Sequence, residues 1–227
     1  MNITFFGHAC FQVQISGQTL LFDPFLRPNP KAPTSAFDSV RPDAILISHG
    51  HGDHIADAAE LAQKHGCPVI CNYEIANWLG KHGVTTAIGM NLGGTVKVGP
   101  IAAKHVPAAH SSELPDGTYG GNPGGFLVRS PEAAFYYSGD TALISDIKLF
   151  AEAGPFRFAA LCIGDHFTMG YEDAAMAAAW LGVRDVLGVH YDTFPPIEID
   201  HDAARAAFAS KGITLHLPAP GSSLTLG

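Results

Sequence analysis

The strongest constraint on this chain is a change of character at residue 48. Ala44-Ile45-Leu46-Ile47 is an unbroken apolar run, and within two residues it gives way to His49-Gly50-His51-Gly52-Asp53-His54. A short continuous apolar run marks a strand covered on both faces. Residues 55 to 64 then carry helical spacing, with Asp53 near the helix start. A strand buried on both sides that passes through a loop into a helix needs a packed layer on each face, which means an α/β architecture.

The same order returns along the chain. A strand over Pro68–Cys71 leads to a helix over Tyr73–Lys81, and a strand over Ala159–Ile163 leads through residues 164 to 170 to a helix over Tyr171–Leu181. Val186–Val189 is a strand ended by His190, followed by a helix over His201–Ser210 and a last strand over Ile213–Leu217. Hairpin-like strands precede each of these runs. Ile3–Phe6 is apolar, Phe11, Val13 and Ile15 alternate with glutamines, and Ser16-Gly17-Gln18 turns the chain into Thr19–Phe22. Residues 27 to 36 hold three prolines and read as a loop; residues 84 to 106 read as several short strands. Gly125–Arg129 and Ala133–Tyr137 form a second hairpin, and a helix over Ser145–Glu152 follows. The expected fold is therefore two mixed β-sheets packed face to face with helices outside, a four-layer αββα sandwich. Residues 1–227 read as one domain of two similar halves without a linker.

Composition removes several functional classes. The chain has 227 residues, 47% of them apolar and 15% charged, as a globular protein with a sizeable core requires. Its 13 Lys and Arg form no basic run and the formal net charge is −8, so nucleic acid is not an expected partner. Apolar stretches such as Ala174–Leu181 are far shorter than the roughly 20 residues that span a bilayer. The N-terminus lacks a basic region of the kind that opens a signal peptide. Cys10, Cys67, Cys71 and Cys162 form no CxxC pair and read as reduced core residues, which fits a cytoplasmic protein.

The chain holds 12 His, several of them directly after apolar runs. In His49-x-His51-x-Asp53-His54, imidazole nitrogens and a hard carboxylate oxygen stand together, a mixture that suits zinc, iron, manganese or nickel better than calcium or magnesium. Adjacent residues point apart, so four donors within six residues serve two ions more naturally than one. The competing reading is a polar loop with Asp53 capping the helix.

This HxHxDH loop resembles the signature of the metallo-β-lactamase-fold hydrolases. That family continues with a histidine, an aspartate and a final histidine at later strand ends, and His110, Asp140 and His190 stand in that order. Gly7-His8-Ala9, Gly139-Asp140-Thr141-Ala142-Leu143, Asp165-His166-Phe167-Thr168-Met169-Gly170 and His190-Tyr191-Asp192-Thr193-Phe194-Pro195 are similar to one branch, the metal-dependent hydrolases related to L-ascorbate-6-phosphate lactonases. The resemblance implies that His49, His51 and His110 hold one divalent metal, that Asp53, His54 and His190 hold the other, and that Asp140 bridges them. Zinc is the first expectation for both. It also implies catalytic duty for Asp53, His54 and Asp140, with a hydroxide between the metals attacking an ester, lactone, amide, thioester or phosphoester of a small molecule. The branch carries asparagine where His166 stands, which leaves the role of His166 open. A homo-oligomer is compatible with the branch.

Other residues admit two readings each. His8 is either a turn histidine or a group facing the pocket. Asp23 either starts a turn or accepts a ring N–H from a metal-binding histidine. Asp165, His166, Thr168 and Met169 either line the pocket or serve locally, Thr168 as a helix cap and Met169 as core. Tyr191 and Thr193 adjoin His190 and are candidates for substrate contact. Residues 115 to 125, rich in glycine, are a candidate lid. The alternative functions are a metal-dependent nuclease or phosphodiesterase, a di-iron redox protein and a non-catalytic metal-binding protein.

Overall fold

The computed structural model describes residues 1–226. Strand β1 (Asn2–Gly7) pairs antiparallel with β2 (Cys10–Ile15), and β2 with β3 (Gln18–Phe22). From β3 the sheet continues in parallel through β4 (Ala44–Leu46), β5 (Val69–Asn72) and β6 (Ala87–Met90). The second sheet repeats this plan. Strands β7 (Thr95–Val98), β8 (Ile101–Pro107), β9 (Gly124–Arg129) and β10 (Ala134–Tyr137) form an antiparallel meander. Then β11 (Phe158–Cys162), β12 (Asp185–Val189) and β13 (Thr214–His216) run parallel to β10.

One strand departs from expectation. Ser223–Thr225 (β14) returns to the first sheet and pairs antiparallel with β1, giving seven strands in each sheet. With Leu224 as its one apolar residue it shows no strand pattern; the free edge of β1 recruits it through backbone pairing.

The apolar run of β4 divides between two cores, as a period of two requires. Ala44 and Leu46 enter the core between the sheets with Phe11, Phe22, Phe126 and Tyr137, whereas Ile45 and Ile47 pack with Leu61, Ile75 and Leu79 beneath the helices. All four are 0% exposed, and burying each of the three larger ones is worth about 2 kcal/mol. Phe11 and Phe22 stack with centroids 4.6 Å apart. Tyr137 of the second sheet meets both edge-on at 5.1 and 5.5 Å, so its hydroxyl reaches across to the first sheet.

The helices are α1 (Ala36–Ser39), α2 (Gly52–Ile55), α3 (Ala58–His65), α4 (Tyr73–Lys81), α5 (Asp146–Phe150), α6 (Tyr171–Leu181) and α7 (His201–Ala209). The single helix expected over residues 55 to 64 is broken into α2 and α3. The cause is Asp57, whose carboxylate accepts the backbone N–H groups of Leu26 and Arg27 at 2.7 and 3.1 Å while its own N–H goes to Pro24. The break leaves Asp53 inside α2 and His51 as its N-cap. Asn72 caps α4 by accepting from Ile75 N–H at 2.9 Å. Among the described residues no helix is long and apolar enough to cross a membrane.

Candidate metal centre

The residues singled out by motif all follow strand ends at one edge of the sandwich. His8 follows β1, Asp23 follows β3, residues 49 to 54 follow β4, His110 follows β8, Asp140 follows β10 and His190 follows β12. Parallel strands in an α/β sheet deliver their following loops to the same edge, which is where such folds build pockets. The two sheets are stitched together there by backbone bonds, His190 N–H to His8 O at 2.8 Å and Gly124 N–H to Ser48 O at 3.1 Å.

Several of these residues hold left-handed backbone: His8 at φ 57°, Asp23 at 41° and His190 at 57°. Non-glycine residues in that region cost about 1–3 kcal/mol each and cluster at functional sites. Gly139, at φ 56°, is irreplaceable for a further reason: a Cβ there would lie 2.5 Å from Gly124 O and 2.9 Å from Ser48 Cβ. Its absence lets the strand end carrying Asp140 slide beneath the residue-48 loop.

Three overlapping groups of donors result, of which Asp23, His49 and His54 is the deepest and shares its histidines with the other two. His49, His51 and His110 form the second, and His8, Asp53, His54 and His190 the third, with ligand atoms within 4.8 Å of one another inside each group. Asp140 stands between the latter two. Its Oδ2 lies 2.9 Å from His190 Nε2, 3.2 Å from His54 Nε2, 3.7 Å from His110 Nε2 and 3.9 Å from His49 Nε2.

Asp23 organises the floor of the site. It is 0% exposed and accepts from Ser48 N–H, the Ser48 hydroxyl, the Tyr137 hydroxyl and His54 Nδ1–H, the last at 2.7 Å. Because Ser48 Oγ–H is spent on Asp23, the Ser48 oxygen accepts from His49 Nδ1–H at 2.9 Å. Both imidazoles therefore hold a proton on Nδ1 and direct Nε2 into the site, where His49 Nε2 lies 3.0 Å from His51 Nδ1. Buried His54 Nε2 and Asp140 Oδ1 have no hydrogen-bond partner among the described residues. Buried polar atoms are almost always satisfied, so two orphans facing each other's neighbourhood fit a cation that bonds to both. The donor set, imidazole with carboxylate, fits the same divalent metals.

The charges at the site are coupled: burial opposes charge on His54, but Asp140 and Asp23 outweigh it and raise its pKa well above the ordinary value, so a divalent cation would compete with a proton at Nε2. Burial opposes charge on Asp140, but His190 and His54 more than offset it and hold the carboxyl well below its usual range. Burial, reinforced by neighbouring imidazoles, holds His49 well below its ordinary value, and burial also lowers His51 and His110. His8 is pulled down to about 4, chiefly by burial. A carboxylate only accepts, so neutral His8 donates from Nε2 to Asp53 Oδ2 at 3.0 Å and accepts the Thr193 hydroxyl at Nδ1, 2.9 Å away.

The remaining candidates fall elsewhere. Met169 is 1% exposed and belongs to the core. The Thr168 hydroxyl turns to Met169 O at 3.2 Å, and Gly170, not Thr168, is the N-cap of α6. Tyr191 packs parallel to Phe5 and faces a separate hollow behind His8. Asp165 and His166 are exposed, carry φ of 58° and 50°, and stand outside the donor groups. The loop over 115 to 125 is pinned rather than free: Asn72 Nδ2 donates to Gly120 O and Asn122 O, and Trp78 Nε1 to Asp116.

A cleft of about 440 Å³ opens over Asp53, Asp140, His110 and His190, with Glu113, Leu114 and Phe167 on its walls. Sequence reasoning passed over these three wall residues and also Ser48 and Tyr137. Adjacency to the motif was the available signal for Ser48, and closeness to His110 and His166 for the walls; nothing local marked Tyr137.

Residues 18–191 match the beta-lactamase superfamily domain. A UPF0173 metal-dependent hydrolase of Methylacidiphilum infernorum is 47% identical over 226 residues, covering all of both chains. One from Thermus thermophilus is 42% identical, covering 100% of this chain and 99% of its own. Among solved structures, Igni18, a metallo hydrolase from the archaeon Ignicoccus hospitalis, superposes with a TM-score of 0.88 at 31% identity, covering 98% of this chain and 97% of its own. With its motif residues gathered at one sheet edge and its whole length matched by such relatives, the chain belongs to the beta-lactamase superfamily, among the UPF0173 metal-dependent hydrolases.

Proposed function

We propose that this hydrolase works through a dinuclear centre in which His49, His51 and His110 hold one divalent cation, Asp53, His54 and His190 hold the second, and Asp140 bridges them. One observation carries the reading: Asp140 Oδ2 lies within 3.9 Å of an Nε2 from each donor group. Zinc is the first choice for this donor set, with manganese, iron and nickel also suited.

Divalent cations held there supply Lewis acidity and bring the ionisation of water toward neutral pH. The chain's own part is orientation. Asp23 takes the Nδ1 proton of His54, Ser48 takes that of His49, and His8 fixes the carboxylate of Asp53. A cleft of about 440 Å³ suits a small molecule, and the reaction class is hydrolysis of an ester, lactone, amide, thioester or phosphoester. The active unit is one domain of two similar halves. Four unpaired buried cysteines support a cytoplasmic setting.

The test is to strip the purified protein with a chelator, reload it with zinc or manganese, and measure bound metal alongside hydrolysis of chromogenic esters, lactones and phosphodiesters. Two metal equivalents with restored turnover is the expected result. Equal activity in stripped and reloaded protein overturns the proposal.

A further inference from the structure

The walls of the cleft carry information about what enters it. Three carboxylates face it; Asp53 and Asp140 belong to the proposed metal donors, which leaves Glu113 as the wall carboxylate, and among the described residues no lysine or arginine lines it. An adjoining hollow of about 510 Å³ shares Glu113 and likewise has no lysine or arginine on its described walls. Recognition of a phosphate or carboxylate away from the reacting bond normally falls to arginine or lysine. Here such a group would lie against Glu113 instead.

Beside the histidines of the centre and Ser111, the wall carries an apolar, rigidly held part made of Leu114, Pro115 and Phe167. Leu114 is 3% exposed and sits beside Pro115, while Phe167 is 53% exposed at the rim. Phe167 follows two consecutive left-handed residues, Asp165 and His166, and its loop is clamped by Asp165 N–H to Met169 O at 3.0 Å and Met169 N–H to Thr141 O at 2.8 Å. The opposite wall is fixed as well: the Ser112 hydroxyl accepts Gly50 N–H at 3.0 Å and donates to Gly120 O at 2.9 Å. A large apolar ring displayed on strained, well-anchored backbone is a contact surface rather than a floppy tip.

We infer that the cleft selects uncharged substrates bearing an apolar or aromatic group, seated between Phe167 and Leu114, and that Glu113 turns away those carrying a further carboxylate or phosphate. This deepens the hydrolase reading and rests on it. A phosphorylated lactone falls outside the selected class.

The experiment compares two esters that differ by one carboxymethyl group, 4-nitrophenyl phenylacetate and the mono-4-nitrophenyl ester of 1,4-phenylenediacetic acid. With the metal-loaded protein, kcat/KM is expected to favour the first by about tenfold or more. Glu113→Lys should narrow that ratio severalfold, and Phe167→Ala should raise KM for the phenylacetate about tenfold with a smaller change in kcat. Binding is read apart from turnover by calorimetry with the ketones 4-phenylbutan-2-one and 4-(3-oxobutyl)benzoate, the neutral one binding more tightly. Turnover of both esters at equal kcat/KM, with equal ketone binding, overturns this inference and leaves the hydrolase reading standing. No turnover with ketone discrimination intact counts against the hydrolase reading alone. A ratio unmoved by Glu113→Lys removes Glu113 from the account.

Discussion

His54 Nδ1 stands 2.7 Å from Oδ2 of Asp23, a carboxylate with no exposed surface. That bond keeps the proton on His54 Nδ1 and directs Nε2 toward Asp140, 3.2 Å away. Asp23→Asn retains the shape but loses the charge that holds the Nδ1 proton. Loss of such an outer partner weakens metal affinity or activity by about 10–100-fold. Competition with a chromogenic chelator should show the drop; unchanged affinity and turnover would remove Asp23 from the metal centre and leave it a structural carboxylate.

Asp140→Asn tests the bridge. The Asp140 Oδ2 lies within 3.9 Å of an Nε2 from each donor set. The variant should lose at least one metal equivalent and lower kcat/KM by more than about a hundredfold, beyond what outer partners alone command. Elemental analysis after gel filtration reads the first and ester hydrolysis the second. A variant with full metal content and full activity would break the bridging assignment.

Metal removal should be visible in stability, because converging donors exist only in the folded chain. Free metal at a hundred times its dissociation constant stabilises by about 2.7 kcal/mol, equivalent to about 5–10 °C for a domain of this size. Calorimetric scans with and without chelator give the difference. Identical midpoints would mean that the cluster does not take up metal in the folded state.

His105 makes a pH prediction independent of the centre. It is 0% exposed, and burial brings its pKa down to about 4 from the ordinary 6.5. Between pH 6.5 and 4 the unfolded chain binds a proton that the fold refuses, so stability is full above about pH 6.5 and falls as pH drops through that window. The loss is on the order of 3 kcal/mol at its largest. Urea titrations of chelated protein at pH 7 and pH 4.5 should show a smaller acid penalty in His105→Leu than in the native chain. An equal penalty in both rules out His105 as its source.

Much of the architecture was legible because it rests on local pattern. The helices over Tyr73–Lys81 and Tyr171–Leu181 have the expected bounds, and Ala44–Ile47 is buried as its unbroken run implies. Where reading failed, a distant partner decided. Asp57 broke a helix to satisfy Leu26 and Arg27, β14 formed because β1 had a free edge, and Asn72 and Trp78 tied down a loop that glycine content had marked as mobile.

The centre divides in the same way. Residue type and spacing along the chain determined which side chains could serve a metal, since donor chemistry is a property of imidazole and carboxylate wherever they stand. Only the folded sandwich decided which lone pairs are bare and which way they face. Asp23, Ser48, Tyr137 and His8 reach their partners across sheets and strands, 114 residues apart for Tyr137 and Asp23 and 185 for His8 and Thr193, and hydrogen bonds of that reach leave no trace in local sequence. The charge and shape of the cleft walls at Glu113, Leu114 and Phe167 belong to the tertiary structure for the same reason: a surface is defined by what the fold leaves uncovered.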